Sequence, residues 1–261
     1  MQKTEVFQAE IFRLVQLTDL HLLADPNACY RGKNTRANFL AVLKLAKRLQ
    51  PDLLLLTGDL AEDEQHTTYQ WLQQQLKNSG LNWQWLPGNH DNPALMAHFK
   101  PTDFYQQTQH WQLLGLNSHW PNHTQGLLNA QQLERIQQAL TNPKPLLIAL
   151  HHPPVAVGSL WKDSLALHNT AEFWALLKDQ QQAKLVIFGH VHQAFSGKHH
   201  YSQTLATPAT SIEFTADSDQ FSISPSSQPG LRFIRLQTAG RFSSRVLYLK
   251  GSTHQAATAG V

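Results

Sequence analysis

An α/β core finished by a more antiparallel edge is the fold class this sequence predicts, and three observations carry the prediction. Short continuous apolar runs alternate with stretches of helical apolar spacing from Ile11 to Phe188. Beyond Phe188 the helical spacing stops, and alternating segments YSQTLAT, LRFIRLQ and RVLYLK flank the turn-rich ADSDQFSISPSSQPG. At 261 residues the chain is long enough to bury one large apolar interior. Strands alternating with helices and then strands alone give such a core, and ligand sites in it lie at the carboxyl ends of strands.

Each element follows in order. Ile11 to Leu17 reads as a strand, and NTRANFLAVLKLAKRL as a helix with Leu40, Leu43 and Ala46 at helical spacing behind a cap at Asn34. Leu53 to Leu56 is a buried strand, and Gln65 to Lys77 a helix that stops before Gly80. Leu81 to Leu86, WQLLGLN and PLLIAL are further strands, with a helix around LERIQQAL. In NTAEFWALLKD, Asn169 and Glu172 stand at capping-box spacing, and KLVIF closes the series. The glutamine clusters QWLQQQLK, LNAQQLERIQQAL and KDQQQAK accompany spaced apolar residues and read as solvated helix faces.

Composition narrows the function classes. Charged residues make up 15% of the chain and the net charge is +3, with Lys and Arg scattered. The densest basic stretch, RFSSRVLYLK, alternates like a strand, so a nucleic-acid groove is not expected. Cys29 is the single cysteine, which excludes an intrachain disulfide and a thiolate metal cluster. MQKTEVFQAEIF lacks an apolar leader region, and no segment approaches the roughly 18 apolar residues of a membrane span. A cytoplasmic protein without a membrane partner is the expectation. Repeats and linkers are absent from the sequence, so residues 1–250 are expected to form one domain with a metal-binding core over 11–192 and a β-rich part over 193–250. The segment GSTHQAATAGV, 251–261, reads as a flexible tail.

The residues just past each strand carry the chemistry. RLVQL leads into TDLH with Asp19 and His21, LLLLT into GDLAED with Asp59 and Asp63, and NWQWL into PGNHD with Asn89, His90 and Asp91. PLLIAL runs into HHPP and KLVIF into GHVH, with His151, His152, His190 and His192. Any one fragment fits an ordinary turn. Five strand ends delivering carboxylate, amide and imidazole towards one edge instead point to metal. Nitrogen and oxygen donors without sulfur suit Mn, Fe, Zn or Co. So many donors exceed the needs of one ion, which implies two ions sharing a carboxylate, about 3.5–4 Å apart. Such a centre keeps surplus positive charge and attracts anionic esters.

D-x-H, G-D-L-x-x-D, G-N-H-D, H-x-P and G-H-x-H, in this order from Leu14 to His192, resemble the calcineurin-like metallophosphoesterases. Within that superfamily the chain is most similar to bacterial class III 3′,5′-cyclic-nucleotide phosphodiesterases, through LLADPNACYRGKNT, DEQHTTYQWL, LATPATSIEF, SDQFSI and LRFIRL. The resemblance implies a four-layer αββα sandwich with a mixed β-sheet core. It puts Asp19, His21 and His192 on one ion, Asn89, His151 and His190 on the other, and Asp59 between them, with iron and manganese the expected metals and zinc or cobalt as substitutes. His151 occupies the H-x-P ligand position, leaving His152 as a neighbour. Asp63 and Asp91 resemble outer groups that orient histidines, although Asp63 also suits a helix start. Glu64 departs from the glycine of many relatives, which touches only the local turn.

The implied chemistry is in-line attack of metal-held hydroxide on phosphorus, with His90 as general acid or hydrogen-bond donor and Asp91 as its possible orienter. His21, Asp59, Asn89, His90 and His192 should border the substrate. The resemblance selects 3′,5′-cyclic AMP opening to 5′-AMP; the metal core alone equally serves a broad-specificity phosphodiesterase or a glycerophosphodiesterase, because it reads phosphate. A non-catalytic scaffold of this fold is the alternative of another class, and every ligand position is filled. Selectivity must come from loops such as DPNACYRGKNT and Pro121 to Gly126, where Tyr30 and Trp120, with Trp161 nearby, can stack on a base or simply pack. The expected partner is a small phosphodiester, and the final β segments offer an edge for a homodimer.

Overall fold

The computed structural model describes residues 11–249. β1 (Phe12–Leu17) leads through α1 (Thr35–Arg48), β2 (Leu53–Thr57) and α2 (His66–Ser79) to β3 (Trp83–Leu86) and the short α3 (Pro93–Ala97). β4 (Phe104–Gln107), β5 (Gln112–Gly115), α4 (Ala130–Leu140), β6 (Leu146–Ala149), the short α5 (Leu160–Asp163), α6 (Thr170–Leu177) and β7 (Ala183–Phe188) follow. β8 (Phe195–His199), β9 (Ser202–Ala206), β10 (Gly230–Leu236) and β11 (Phe242–Tyr248) complete the order. The expected tail, 251–261, lies outside the described residues. Among the described residues no helix is long and apolar enough to cross a membrane.

Local chemistry sets the helix limits where the sequence placed them. The Asn34 side chain accepts the Ala37 N–H at 2.9 Å and starts α1, whose Phe39, Val42, Leu43 and Ala46 form its buried face. Gly80, in the left-handed conformation at φ 73°, ends α2. The capping box expected at α6 does not form. Asn169 makes no cap bond; its amide donates to the Leu128 carbonyl and accepts the Leu128 N–H, holding the preceding loop instead.

Two sheets arise. One has the order β11-β10-β1-β2-β3 and the other β4-β5-β6-β7-β9-β8. Strands β1, β2 and β3 run parallel, β10 pairs antiparallel with β1, and β11 antiparallel with β10. In the second sheet β5, β6, β7 and β9 are parallel, with β4 and β8 antiparallel at its edges. The more antiparallel edge expected from the C-terminal segments forms at β8, β10 and β11, but the chain after β7 supplies strands to both sheets, and β9 is parallel to β7. Alternation identifies a strand but not its neighbour. The unexpected β4, FYQQ, and β8, FSGKH, are edge strands with polar residues and no apolar run.

Burial on both faces explains the apolar runs. Leu53 and Leu55 of β2 pack between the sheets with Leu14, Leu147, Ala149, Leu185 and Ile187, whereas Leu54 and Leu56 face α1 and α2 with Val15, Leu17 and Tyr69. Ile148, Val186 and Phe188 face α4 and α6 through Ile136, Phe173 and Leu177. Three apolar layers between four structural layers give the αββα sandwich. Gln16 is the polar exception between the sheets. Its amide donates to Thr57 Oγ1 (2.9 Å) and the Phe188 carbonyl (3.0 Å) and accepts the Thr207 hydroxyl (2.6 Å), joining the sheets just below the strand ends.

Candidate metal centre

The sandwich brings the carboxyl ends of β1, β2, β3, β6 and β7 together from two sheets rather than along one edge. Asp19, His21, Asp59, His190 and His192 all sit just beyond these strands at positive φ, between 46° and 68°. Left-handed backbone at such residues costs about 1–3 kcal/mol each and persists where the surroundings enforce it. Backbone bonds do so here: Asp19 N–H donates to the Gly58 carbonyl at 3.0 Å and His21 N–H to the Asp59 carbonyl at 2.9 Å. Gly58 (φ 94°) and Gly88 must be glycine on contact grounds too, because a Cβ would collide with the His151 ring at the first and with Asp59 at the second.

The side chains converge. One donor atom each from Asp19, His21, Asp59 and His192 lies within 4.8 Å of the others, and all four residues are buried. His192 Nε2 is 3.2 Å from Asp19 Oδ1, and His21 Nε2 is 3.7 Å from Asp59 Oδ2. On the other side of Asp59, His151 Nε2 lies 3.3 Å from Oδ2 and 3.2 Å from His190 Nδ1. Asn89 Oδ1 and His190 Nε2 are buried without a hydrogen-bond partner.

Hydrogen bonds at the far side of three rings decide their tautomers. His151 Nδ1 donates to the Thr57 carbonyl (2.7 Å), His192 Nδ1 to the Ile212 carbonyl (2.8 Å), and His21 Nδ1 to the Glu62 carboxylate (2.7 Å). Each neutral ring is then left with a bare Nε2 lone pair. His21 Nε2 and His192 Nε2 face each other at 3.1 Å beside two carboxylates. Two lone pairs at that distance repel unless a proton or a metal ion lies between them. This donor set fits metal ions, and Asp59 is placed to serve both halves.

Protonation follows the same logic. Burial pushes the Asp19 and Asp59 carboxyls up, yet His192 beside Asp19 and His151 beside Asp59 hold both below the usual carboxylate range. Burial pushes His190 and His152 well below an ordinary imidazole and His192 below it, whereas at His151 burial is outweighed by the Asp59 carboxylate, which raises the ring. Ionised carboxylates and neutral imidazoles are the forms that bind metal.

Asp91 and Asp63 do not orient histidine side chains as expected, and a third carboxylate does. Among the described residues Asp91 makes no hydrogen bond to a histidine side chain: it accepts the N–H groups of Leu60, Ala61 and Gly88 and the Tyr69 hydroxyl, pinning two ligand-bearing loops to each other. Asp63 serves the helix start, accepting the Gln65 N–H and the Thr68 hydroxyl, and also binds the Ala24 N–H. The carboxylate that holds His90 is Glu62, 3.0 Å from His90 Nδ1 and 2.7 Å from His21 Nδ1. Burial opposes its ionisation, but these two imidazoles bring Glu62 down to about 2. His90 responds reciprocally: against burial, the Glu62 hydrogen bond and the Asp59 charge raise it to about 9. Sequence reasoning passed over Glu62 because no spacing rule distinguishes it from Asp63 and Glu64 in the same turn.

His90 itself reaches Asp59 through its backbone N–H (2.9 Å), leaving its partly exposed ring at the rim. His152 is buried beside His151 and His190, with one donor atom of each within 4.8 Å of the others, its Nδ1 on Ser118 Oγ at 2.8 Å and its Nε2 without a hydrogen-bond partner. Of the candidate aromatics, Tyr30 stacks on His21, and Trp161 packs against Phe214, which stacks on His192. Trp120 stacks on His123 instead.

Residues 12–194 match the calcineurin-like phosphoesterase family, and the chain belongs to that family. It is similar to a 3′,5′-cyclic-nucleotide phosphodiesterase of Nostoc, 36% identical, over 89% of this chain and 91% of that one. It is also similar to the 3′,5′-cyclic adenosine monophosphate phosphodiesterase CpdA of Haemophilus influenzae, 34% identical over 94% of each chain. Among solved structures, a dimetal phosphatase of Danio rerio shares the fold at a TM-score of 0.62 and 11% identity, over 91% of this chain and 98% of that one.

Proposed function

We propose that the protein is a dinuclear-metal phosphodiesterase that hydrolyses 3′,5′-cyclic AMP to 5′-AMP. The observation that carries the metal is the pair of imidazole Nε2 atoms facing each other at 3.1 Å with Asp19 and Asp59 alongside. Asp19, His21 and His192 would hold one ion, Asn89, His151 and His190 the other, and Asp59 both. Likeness to the named phosphodiesterases over most of the chain supports the substrate. Two bound ions supply Lewis acidity to the phosphoryl oxygens and lower the pKa of water.

The remaining work falls to this chain's own groups. Tautomer-fixing bonds to the Thr57 and Ile212 carbonyls and the Glu62 carboxylate aim three imidazoles at the cluster. His90, with Nδ1 engaged by Glu62, keeps its other ring nitrogen to donate to an ester oxygen as charge builds there. His21, Asp59, Asn89, His90 and His192 border the phosphoryl group in this reading. Iron and manganese are the metals we assign, on their suitability to a nitrogen and oxygen donor set. Residues 1–250 act as one domain in this reading, the cytoplasm is the compartment, and the open edge of β11 is where a second copy would pair.

The test is hydrolysis of cyclic AMP by purified protein with metal content measured in parallel. About two ions per chain and release of 5′-AMP are expected, with activity lost to chelator and restored by manganese. Turnover of glycerophosphodiesters without cyclic AMP would reassign the substrate. Neither metal nor turnover would leave only a scaffold.

A further inference from the structure

A wall of aromatic and cationic side chains rises from one side of the cluster, built by three segments that donate nothing to it. Tyr30 lies flat on His21 with ring centroids 4.4 Å apart, and Phe214 lies flat on His192 at 4.0 Å, so the wall starts on the outer faces of two cluster imidazoles. Trp161 meets Phe214 and Phe221 edge-on, each at 5.3 Å. Phe221 is 44% exposed, and the Arg31 guanidinium lies 4.7 Å from its ring centre.

Two donors in this wall lack acceptors. Lys162 is 7% exposed, with Nζ 5.2 Å from the Trp161 ring centre and 5.4 Å from that of Phe214. Among the described residues Lys162 has no carboxylate partner; the ion pair that does not involve histidine joins Arg135 to Asp103. The Trp161 Nε1 donor is buried and also unpartnered. A buried N–H without an acceptor is a costly feature. Burial lowers the lysine to about 8 while the charges of Asp19 and Asp59 hold it up. Flat apolar rings with unmatched donors, next to a phosphate-binding centre, complement a planar heterocycle and a sugar rich in acceptors.

We propose that Trp161, Lys162, Phe214 and Phe221, closed on one side by Tyr30 and Arg31, form the subsite for the nucleoside half of a nucleotide, with Lys162 donating to a base or ribose acceptor. This rests on the phosphodiesterase reading for its substrate, and it makes Lys162 a specificity-determining residue rather than a group that reads phosphate.

The experiment measures calorimetric binding of 5′-AMP and, separately, of inorganic phosphate to metal-loaded wild type, Lys162→Met, Lys162→Arg and Phe221→Ala, with metal content checked for each. Lys162→Met and Phe221→Ala should each weaken 5′-AMP about tenfold and leave phosphate within about twofold. Lys162→Arg should recover part of the loss. With cyclic AMP the same variants should raise KM more than they lower kcat. Unchanged 5′-AMP binding in Lys162→Met would overturn the subsite, and so would an equal loss of phosphate, which would make the lysine a phosphate group instead. A wild type that binds 5′-AMP in this way but never hydrolyses cyclic AMP would sink the phosphodiesterase reading and leave the subsite standing.

Discussion

Glu62 offers the sharpest test of how the cluster is held. Its carboxylate stands 2.7 Å from His21 Nδ1 and 3.0 Å from His90 Nδ1, so one side chain sets a candidate ligand and the candidate acid. Glu62→Gln keeps the shape but removes the charge, and a single amide oxygen can accept from only one of the two rings. Its NH₂ group is then presented to the other. Loss of a carboxylate behind a metal-binding histidine costs about 10–100-fold in metal affinity, which is about 1.4–2.8 kcal/mol. Glu62 is 27% exposed at the side chain, and solvent screens part of its charge. The amide variant should therefore lose about tenfold, and Glu62→Ala, which removes both contacts, nearer a hundredfold. Manganese titration by calorimetry, paired with cyclic AMP turnover at saturating metal, reads both effects. Glu64→Gln, two residues on and exposed, serves as the control and should match wild type. If Glu62→Gln bound manganese and turned over like that control, the carboxylate would be an ordinary surface acid and the orientation argument would fail.

Other perturbations separate the remaining roles. His90→Ala should keep its metal, because the bond to Asp59 comes from the backbone, while turnover falls about 10²-fold or more; parallel loss of metal by elemental analysis would make the ring structural. Glu64 holds φ 50°, the left-handed region that disfavours a side chain, so Glu64→Gly should raise stability by about 0.5–1 kcal/mol in urea unfolding, and a loss would count against that strain. Gln16→Leu would leave the Phe188 carbonyl and the Thr207 hydroxyl buried without their partner, with an expected cost of about 2–4 kcal/mol in the same assay. A neutral result there would mean that the sheets need no polar tie beneath the site.

Much of this protein is written along its chain. Continuous apolar runs such as Leu53–Leu56 announce strands buried on both faces, and Asn34 and Gly80 mark helix limits because capping is a local interaction. The ordered motifs placed the converging residues at strand ends, since a turn fixes where its own side chains leave the sheet. Which strands become neighbours was not readable. β9 lies parallel to β7 and β10 antiparallel to β1, because pairing is settled by packing between distant segments rather than by alternation within one. The same distance hid Glu62 from view, misassigned Asp91 and left Asp63 open between a histidine and a helix start. All three carboxylates lie in motif loops, and only the folded arrangement decides that one meets His21 and His90, another a helix start, and the third the backbone of two loops. Residue type and spacing thus determined that a metal-binding set exists. Tertiary contact alone decided which group orients which, because a hydrogen bond depends on ångström-scale placement that no sequence spacing records.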